Sequence, residues 1–173
     1  MLRIMLADAH AGPVETVGEV APNDPKLAGL DVPLASPVSV TGRFTSAGED
    51  KYYWRVAFQT AVRGQCRRCL ADVQLPISES RGLLFAADDE TPEGDGCYVI
   101  SERARDLDLT EPLCEELMLA LPQFVECRPD CKGLCPRCGA NLNDGPCHCP
   151  PQTDSRWDAL KGLANRATTP KKD

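Results

Sequence analysis

The chain has 173 residues, of which 42% are hydrophobic and 26% are charged, and its formal net charge is −7. This length suits about one domain, or one domain with a small appendage, and the composition excludes a wholly disordered chain. No apolar run reaches the roughly 18–20 residues that a bilayer crossing needs, and the acidic balance excludes a uniformly basic nucleic-acid binder. Residues 1–8 are too short before their first acid to form a signal-peptide core, so we expect a cytoplasmic protein without a membrane segment.

The charge is unevenly distributed along the chain. Residues 1–50 carry 3 basic and 7 acidic side chains, residues 51–119 carry 8 and 13, and residues 120–173 carry 8 and 6. A local basic face is therefore compatible with the acidic total, because binding depends on where the charges lie.

Strands are predicted through the first two thirds of the chain. Eight prolines and glycines between residues 8 and 37 predict loops around short strands. Residues 38–45 alternate weakly, and residues 53–63 alternate clearly, with one apolar face made of Trp54, Val56, Phe58, Thr60 and Val62. Further short strands are predicted at residues 73–77, 83–86 and 98–100, with an acidic loop at residues 88–96.

One helix stands out after the strands. Apolar positions from Thr110 to Leu121 follow a helical stripe, Thr110 can cap the helix, and Pro122 ends it. We expect Glu111, Glu115 and Glu116 to lie on its solvated side. The pattern predicts an α+β fold: an antiparallel sheet or partial β-barrel with a packed helix and a C-terminal zinc-ribbon-like module.

These patterns predict three regions. Residues 1–122 form the α+β body, of which residues 1–37 are a loop-rich N-terminal segment. Residues 123–151 form a cysteine-rich zinc-binding module, and residues 152–173 form a short helix and a disordered tail.

Ten cysteines are the outstanding feature of the composition, and eight of them form four short-spaced pairs. In a reducing compartment such pairs more often bind metal than form disulfides. Two pairs can complete a tetrahedron of sulfurs around one ion. The first predicted zinc site, in the compact C-terminal run, consists of Cys135, Cys138, Cys147 and Cys149.

By elimination, the second predicted site consists of Cys66, Cys69, Cys127 and Cys131, and it would close a long loop. In the alternative arrangement, a single site is shared among residues 127–149 and leaves Cys66 and Cys69 free. His148 can also replace one of its neighbouring cysteines as a ligand.

Other chemistry remains open for the cysteines. Cys66 and Cys69 can form a redox dithiol, although the pair does not open a helix as a thioredoxin-like site does. Four thiolates can also hold an iron–sulfur cluster, but ribbon-like spacing with Gly and Pro favours zinc. Cys114 lies on the apolar stripe of the helix, and Cys97 has no close partner. Closed four-cysteine sites are structural, and no catalytic constellation is present, so we expect no enzyme and no small-molecule substrate.

Basic residues accompany the cysteines. Arg67 and Arg68 lie between the first pair, and Lys132 and Arg137 lie among the later ones. A metal-bound loop can hold such side chains against phosphate, so these four are candidate RNA contacts, although a solvated surface explains them as well.

Several segments resemble one family. They are Cys66-Arg67-Arg68-Cys69, residues 106–110 and 115–122, the block from Cys131 to Asn143, Cys147-His148-Cys149, and Asp154-Ser155-Arg156-Trp157 with Leu160 and Leu163. Together they resemble the YceD family, whose members are called large ribosomal RNA subunit accumulation proteins, over residues 38–163.

The resemblance implies a non-enzymatic factor in large ribosomal subunit biogenesis that supports 23S rRNA accumulation. Its implied partners are a precursor of the large subunit, 23S rRNA or a ribosomal protein. Two other functions stay open: a zinc-ribbon protein-interaction module with a non-ribosomal partner, and a thiol oxidoreductase that uses Cys66 and Cys69.

Overall fold

Strands dominate the described part of the chain. The computed structural model describes residues 2–30, 33–48, 50–86, 96–101, 103–150 and 156. In chain order its elements are β1 (Arg3–Met5), α1 (Leu6–Ala11), β2 (Val14–Val20), a 3-10 turn (Pro25–Leu27), β3 (Val38–Gly48), β4 (Lys51–Gln65), β5 (Asp72–Ala86), β6 (Cys97–Val99), β7 (Asp106–Asp108) and α2 (Thr110–Ala120).

The main sheet has five strands in the order β2-β3-β4-β5-β6. The first four are antiparallel neighbours, and β1 pairs with β7 in a separate antiparallel ribbon. The predicted α+β class is confirmed. Among the described residues the main sheet is open, with β2 and β6 as its edges, so no closed barrel forms.

The long central strand β4 is a major contributor to the core. Its even-numbered residues face inward, and four of them are fully buried: Trp54, Val56, Phe58 and Val62. Trp54 also donates a hydrogen bond from Nε1 to Thr16 Oγ1 at 2.8 Å, which satisfies the buried indole. The alternation predicted for residues 53–63 is confirmed.

The strand prediction for residues 73–86 was wrong in one respect. Residues 73–77 and 83–86 belong to one continuous strand, β5, which pairs with β4 along its whole length. In the described region, the part of β5 that contains Pro76 pairs with β4 on one side and with no strand on the other. A proline nitrogen that faces the unpaired side costs no ladder hydrogen bond, so the strand continues through it.

Two further elements differ from a simple antiparallel meander. β6 runs parallel to β5, with Leu84 opposite Cys97, and alternation alone does not specify strand direction. The loop-rich N-terminal segment also contains α1 and the seven-residue edge strand β2. The inward positions of β2 include Thr16 and Val20, whose alternation with Glu15 and Glu19 was the signal that could have revealed it.

Helix α2 packs its apolar stripe, including Leu113, Cys114 and Leu117, into the core. Thr110 was wrongly predicted as its cap. The carboxylate of Asp108 accepts the Thr110 amide at 2.9 Å instead. Glu116 was also wrongly placed on the solvated side, since only 4% of it is exposed and its Oε2 lies 3.4 Å from Arg81 Nε.

The described residues fall into two compact units that divide between Cys131 and Lys132. The second contains residues 132–150 and residue 156 of the described part. The predicted helix at residues 154–163, the predicted tail and nearly all of the predicted acidic loop lie outside the described residues. No helix in the described ranges combines the length and apolar character that a bilayer crossing requires.

Candidate metal centres

The first group of cysteines lies at the end of the hairpin formed by β4 and β5. Cys66 and Cys69 lie in the turn between these strands, and Cys127 and Cys131 lie in the segment after α2. Cys66 Sγ lies 3.8 Å from Cys131 Sγ, and Cys69 Sγ lies 3.7 Å from Cys127 Sγ. All four sulfurs lie within 4.8 Å of one another. We call these four residues the body cluster.

These separations match a tetrahedral metal site and not disulfide bonds. The sulfurs of a disulfide are about 2.05 Å apart. A tetrahedron with Zn–S bonds of about 2.3 Å separates its sulfurs by about 3.8 Å. The body cluster therefore fits one four-coordinate ion, and its donor set is that of a closed structural site.

The turn that carries Cys66 and Cys69 has a defined backbone. The amide of Cys66 donates to Ala71 O at 2.8 Å, and the amide of Leu70 donates to Cys66 O at 2.8 Å. Leu70 has a φ of 59°, a left-handed conformation that is rare for a large side chain. The turn thereby directs both sulfurs to the same side.

The thiols of the body cluster differ in pKa. The amide of Cys127, with those of Cys69 and Arg68, lowers the pKa of Cys66 to about 6. The neighbouring thiol of Cys131, together with burial, raises the pKa of Cys127 to about 12. Four thiols this close resist ionising together, and a bound dication is what removes that resistance.

The second group lies wholly in the C-terminal unit. Its members are Cys135, Cys138, Cys147 and Cys149, and their sulfurs also lie within 4.8 Å of one another. We call them the ribbon cluster. His148 lies between two of them, is exposed and is not part of the group.

The first turn of the ribbon cluster repeats that of the body cluster. The amide of Cys135 donates to Ala140 O at 2.8 Å, and the amide of Gly139 donates to Cys135 O at 2.9 Å. Gly139 has a φ of 73°, which glycine adopts without strain. The amides of Cys138 and Arg137 lower the pKa of Cys135 to about 6.

Two asparagines hold the connector of the ribbon cluster. Asn141 Oδ1 accepts the Asn143 amide at 3.0 Å, and Asn143 Oδ1 accepts the Lys132 amide at 2.9 Å. A bridge between Leu134 and Asn141 closes the loop. These local bonds bring the two cysteine pairs of the ribbon together.

The two remaining cysteines lie outside both clusters. Cys114 is buried in α2, and burial raises its pKa to about 11, as expected for an inert core thiol. Cys97 is half-buried at the start of β6.

The turn between β4 and β5, which we call the body turn, carries two of the predicted basic residues. Both contact neighbouring groups of the chain. Arg67 forms an ion pair with Glu126, with Nη2 at 2.6 Å from Oε1, and its guanidinium lies 4.6 Å from the centre of the Phe124 ring. Arg68 Nη1 donates to Pro129 O at 3.4 Å. The sequence patterns gave no sign of Phe124 and Glu126, although both lie within three residues of Cys127 in the chain.

Lys132 and Arg137 lie in the C-terminal unit, and both are exposed. The backbone amide of Lys132 is fixed by Asn143, so the position from which its side chain extends is defined. Each unit therefore presents two of the four predicted RNA-contact residues.

The family model for the large ribosomal RNA subunit accumulation protein YceD matches residues 55–164. The chain belongs to the YceD family. The match contains all eight residues of the two clusters, so the cysteine groups lie within the family region.

Among relatives, an uncharacterized protein of Mycobacterium tuberculosis is 40% identical over 101 residues, which cover 56% of this chain and 48% of that protein. An uncharacterized protein of Mycobacterium leprae is 28% identical over 148 residues, covering 80% of this chain and 67% of the relative. The chloroplastic YCED homolog 1 of Zea mays, named a large ribosomal RNA subunit accumulation protein, is 35% identical over 60 residues, covering 34% of this chain and 20% of that protein.

The chain thus spans about half the length of the first of these relatives. No solved structure matches it.

Proposed function

We propose that this YceD family member is a non-enzymatic factor in large ribosomal subunit biogenesis that supports the accumulation of 23S rRNA. The observation that carries this proposal is the family match over residues 55–164. The Zea mays relative, which is named a large ribosomal RNA subunit accumulation protein, supports it over a shorter stretch.

In this proposal each cysteine cluster holds one structural zinc ion. Sulfur separations of 3.7 and 3.8 Å in the body cluster are those of a single-ion tetrahedron. An iron–sulfur cluster places several irons and bridging sulfides between its thiolates, which requires a wider cage. Zinc would stiffen the two turns and so fix the side chains that they carry.

The proposed partner is a precursor of the large subunit, contacted through 23S rRNA or a ribosomal protein, and the proposed location is the cytoplasm. Arg68 and Arg137 are exposed on turns that the clusters hold, which suits contacts with phosphate. Lys132 and Arg67 complete the proposed set. Arg67 would contribute less because Glu126 already neutralises it.

Gene deletion with complementation tests the proposal. We expect the deletion to lower the ratio of 23S to 16S rRNA, and we expect the wild-type gene to restore it. A Cys66→Ser or Cys135→Ser gene should fail to restore the ratio, whereas Cys97→Ser, which alters a cysteine outside both clusters, should restore it. An unchanged ratio in the deletion strain would contradict the proposed function.

A further inference from the structure

The outer face of the main sheet carries cations that the metal centres do not use. Between residues 51 and 71, which cover β4 and the body turn, the chain has five basic residues and no acidic one, although its net charge is −7. Two of them, Arg55 and Arg63, occupy exposed odd-numbered positions on β4, opposite in direction to the buried even-numbered ones. Their charges therefore lie on the solvent side of the sheet.

Arg55 faces another cation instead of an acid. In the sheet register it lies opposite Arg43 of β3 on one side and Gly82 of β5 on the other. Like charges in directly opposite positions destabilise a sheet. Glu15 on the edge strand offsets Arg43 at 3.7 Å, but no acid among the described residues pairs with Arg55. A polyanion along this face would remove the repulsion.

An aromatic ring lies beside these arginines. Tyr53 is two residues before Arg55, so it lies on the same outer face, and 36% of it is exposed. A Cβ at position 82 would overlap the Tyr53 hydroxyl, which means that the ring reaches across β5 over Gly82. A ring laid along a sheet with one open side is a platform on which a nucleobase can stack.

The row of cations ends at an open cavity of about 550 Å³ whose lining includes Arg63, Gln65 and Gln74. The backbone of Arg63 is fixed there, because its amide donates to Pro33 O at 2.9 Å. Guanidinium and amide groups are those that hydrogen-bond the edges of unstacked bases. Asp72 is the acid at this end, and Gln65 Nε2 donates to its Oδ1 at 3.3 Å.

We infer that the outer face of β3, β4 and β5, with Tyr53, Arg55 and Arg63 as its main contacts, binds single-stranded RNA. The nine residues from Arg55 to Arg63 span about 26 Å of strand, which is room for several nucleotides. An exposed ring, exposed arginines and carboxamides together form the contact set of single-stranded RNA, whereas an acidic protein segment would need only the cations. This inference rests on the proposed function, since it takes ribosomal RNA as the ligand.

The test uses the full-length, metal-loaded chain and a labelled unstructured RNA of about 16 nucleotides, with binding measured by fluorescence anisotropy between about 50 and 200 mM salt. The double variant Arg55→Gln/Arg63→Gln should bind at least about tenfold more weakly, with a log–log salt slope shallower by about 1.4. Tyr53→Leu should weaken binding about fivefold or more without changing that slope.

A matched double variant keeps the charge change but moves it off the sheet. Arg103→Gln/Arg105→Gln removes two exposed arginines between β6 and β7, and it should bind RNA as the wild type does. Thermal melting and metal content should be the same for the wild type and both double variants, because the arginines that they alter are exposed, and Tyr53→Leu should keep the wild-type metal content.

Wild-type affinity and slope in the Arg55→Gln/Arg63→Gln variant would overturn the inference, as would a wild-type chain that does not bind the RNA. If the Arg55→Gln/Arg63→Gln variant keeps RNA binding but no longer binds a purified large-subunit protein that the wild type binds, the inference is overturned in favour of a protein partner. If deletion lowers 23S rRNA and the double variant fully restores it, the sheet-face inference fails while the proposed function stands. If deletion has no effect but the face binds RNA, only the proposed function fails.

Discussion

Loss of one sulfur from the body cluster should destabilise the main sheet much more than loss of one from the ribbon cluster. Cys127→Ala removes the partner that lies 3.7 Å from Cys69 Sγ, and these two residues are 58 positions apart in the chain. By the chain-entropy relation, a link that closes a loop of this length is worth about 4 kcal/mol. Cys138→Ala opens only the cluster of the C-terminal unit.

Urea unfolding followed by the fluorescence of Trp54 measures this difference, since Trp54 is fully buried in the main sheet. The chain has two tryptophans, so a Trp157→Phe background isolates the signal. We expect Cys127→Ala to lower the free energy of unfolding by about 4 kcal/mol. Cys138→Ala, and the control Cys97→Ala, should lower it by less than about 1 kcal/mol.

A chelator supplies the second arm of this experiment. It should shift the wild-type curve onto that of Cys127→Ala and leave the Cys127→Ala curve where it is. Equal destabilisation by Cys127→Ala and Cys97→Ala, or a wild-type curve that the chelator does not move, would refute the reasoning.

Three other predictions concern single positions. Leu70→Gly should raise the free energy of unfolding by about 0.5 kcal/mol, because the φ of 59° strains leucine more than the flexibility of glycine costs. Gly42→Ala should lower it by about 2 kcal/mol, since its Cβ would lie 2.7 Å from Trp54 Nε1. Urea unfolding checks both, and the opposite sign in either case would contradict the strain argument. Burial opposes ionisation of Asp108, but Lys26 and Thr110 together outweigh it and hold the pKa of Asp108 at about 2. Asp108→Asn should therefore lower stability by up to about 1 kcal/mol above about pH 4, a deficit that shrinks towards pH 2, and melting temperatures that differ equally at both ends of this range would contradict it.

The central part of the fold followed directly from sequence patterning. The alternation through β4 is regular because one of its faces is buried in the hydrophobic core and the other is open to solvent, so apolar and polar residues indicate the two sides of the sheet. The apolar stripe of α2 was equally clear. Its capping was not, because Asp108 and Thr110 are both good capping residues and only the backbone decides between them.

Strand continuity and direction were harder to derive. The polar residues 78–82 separate the strands predicted at residues 73–77 and 83–86, and only the pairing of both with β4, which is a tertiary fact, joins them into β5. The parallel orientation of β6 likewise depends on how the chain returns from β5, and no local pattern encodes it.

At the candidate site, spacing identified the short pairs but not how distant pairs combine. That Cys66 and Cys69 join Cys127 and Cys131 followed only by elimination, and the structure brings these four sulfurs together. The engagement of Arg67 by Glu126 and Phe124 had no signal in the spacing, because it depends on the packing of the segment after α2 against the body turn.

The metal content of the purified chain tests the central claim most directly. Elemental analysis by mass spectrometry should find two zinc ions per chain in the wild type and in Cys97→Ser. It should find one in Cys66→Ser and one in Cys135→Ser, since each variant removes a ligand from a different cluster. A folded wild-type chain that contains no zinc would contradict the account.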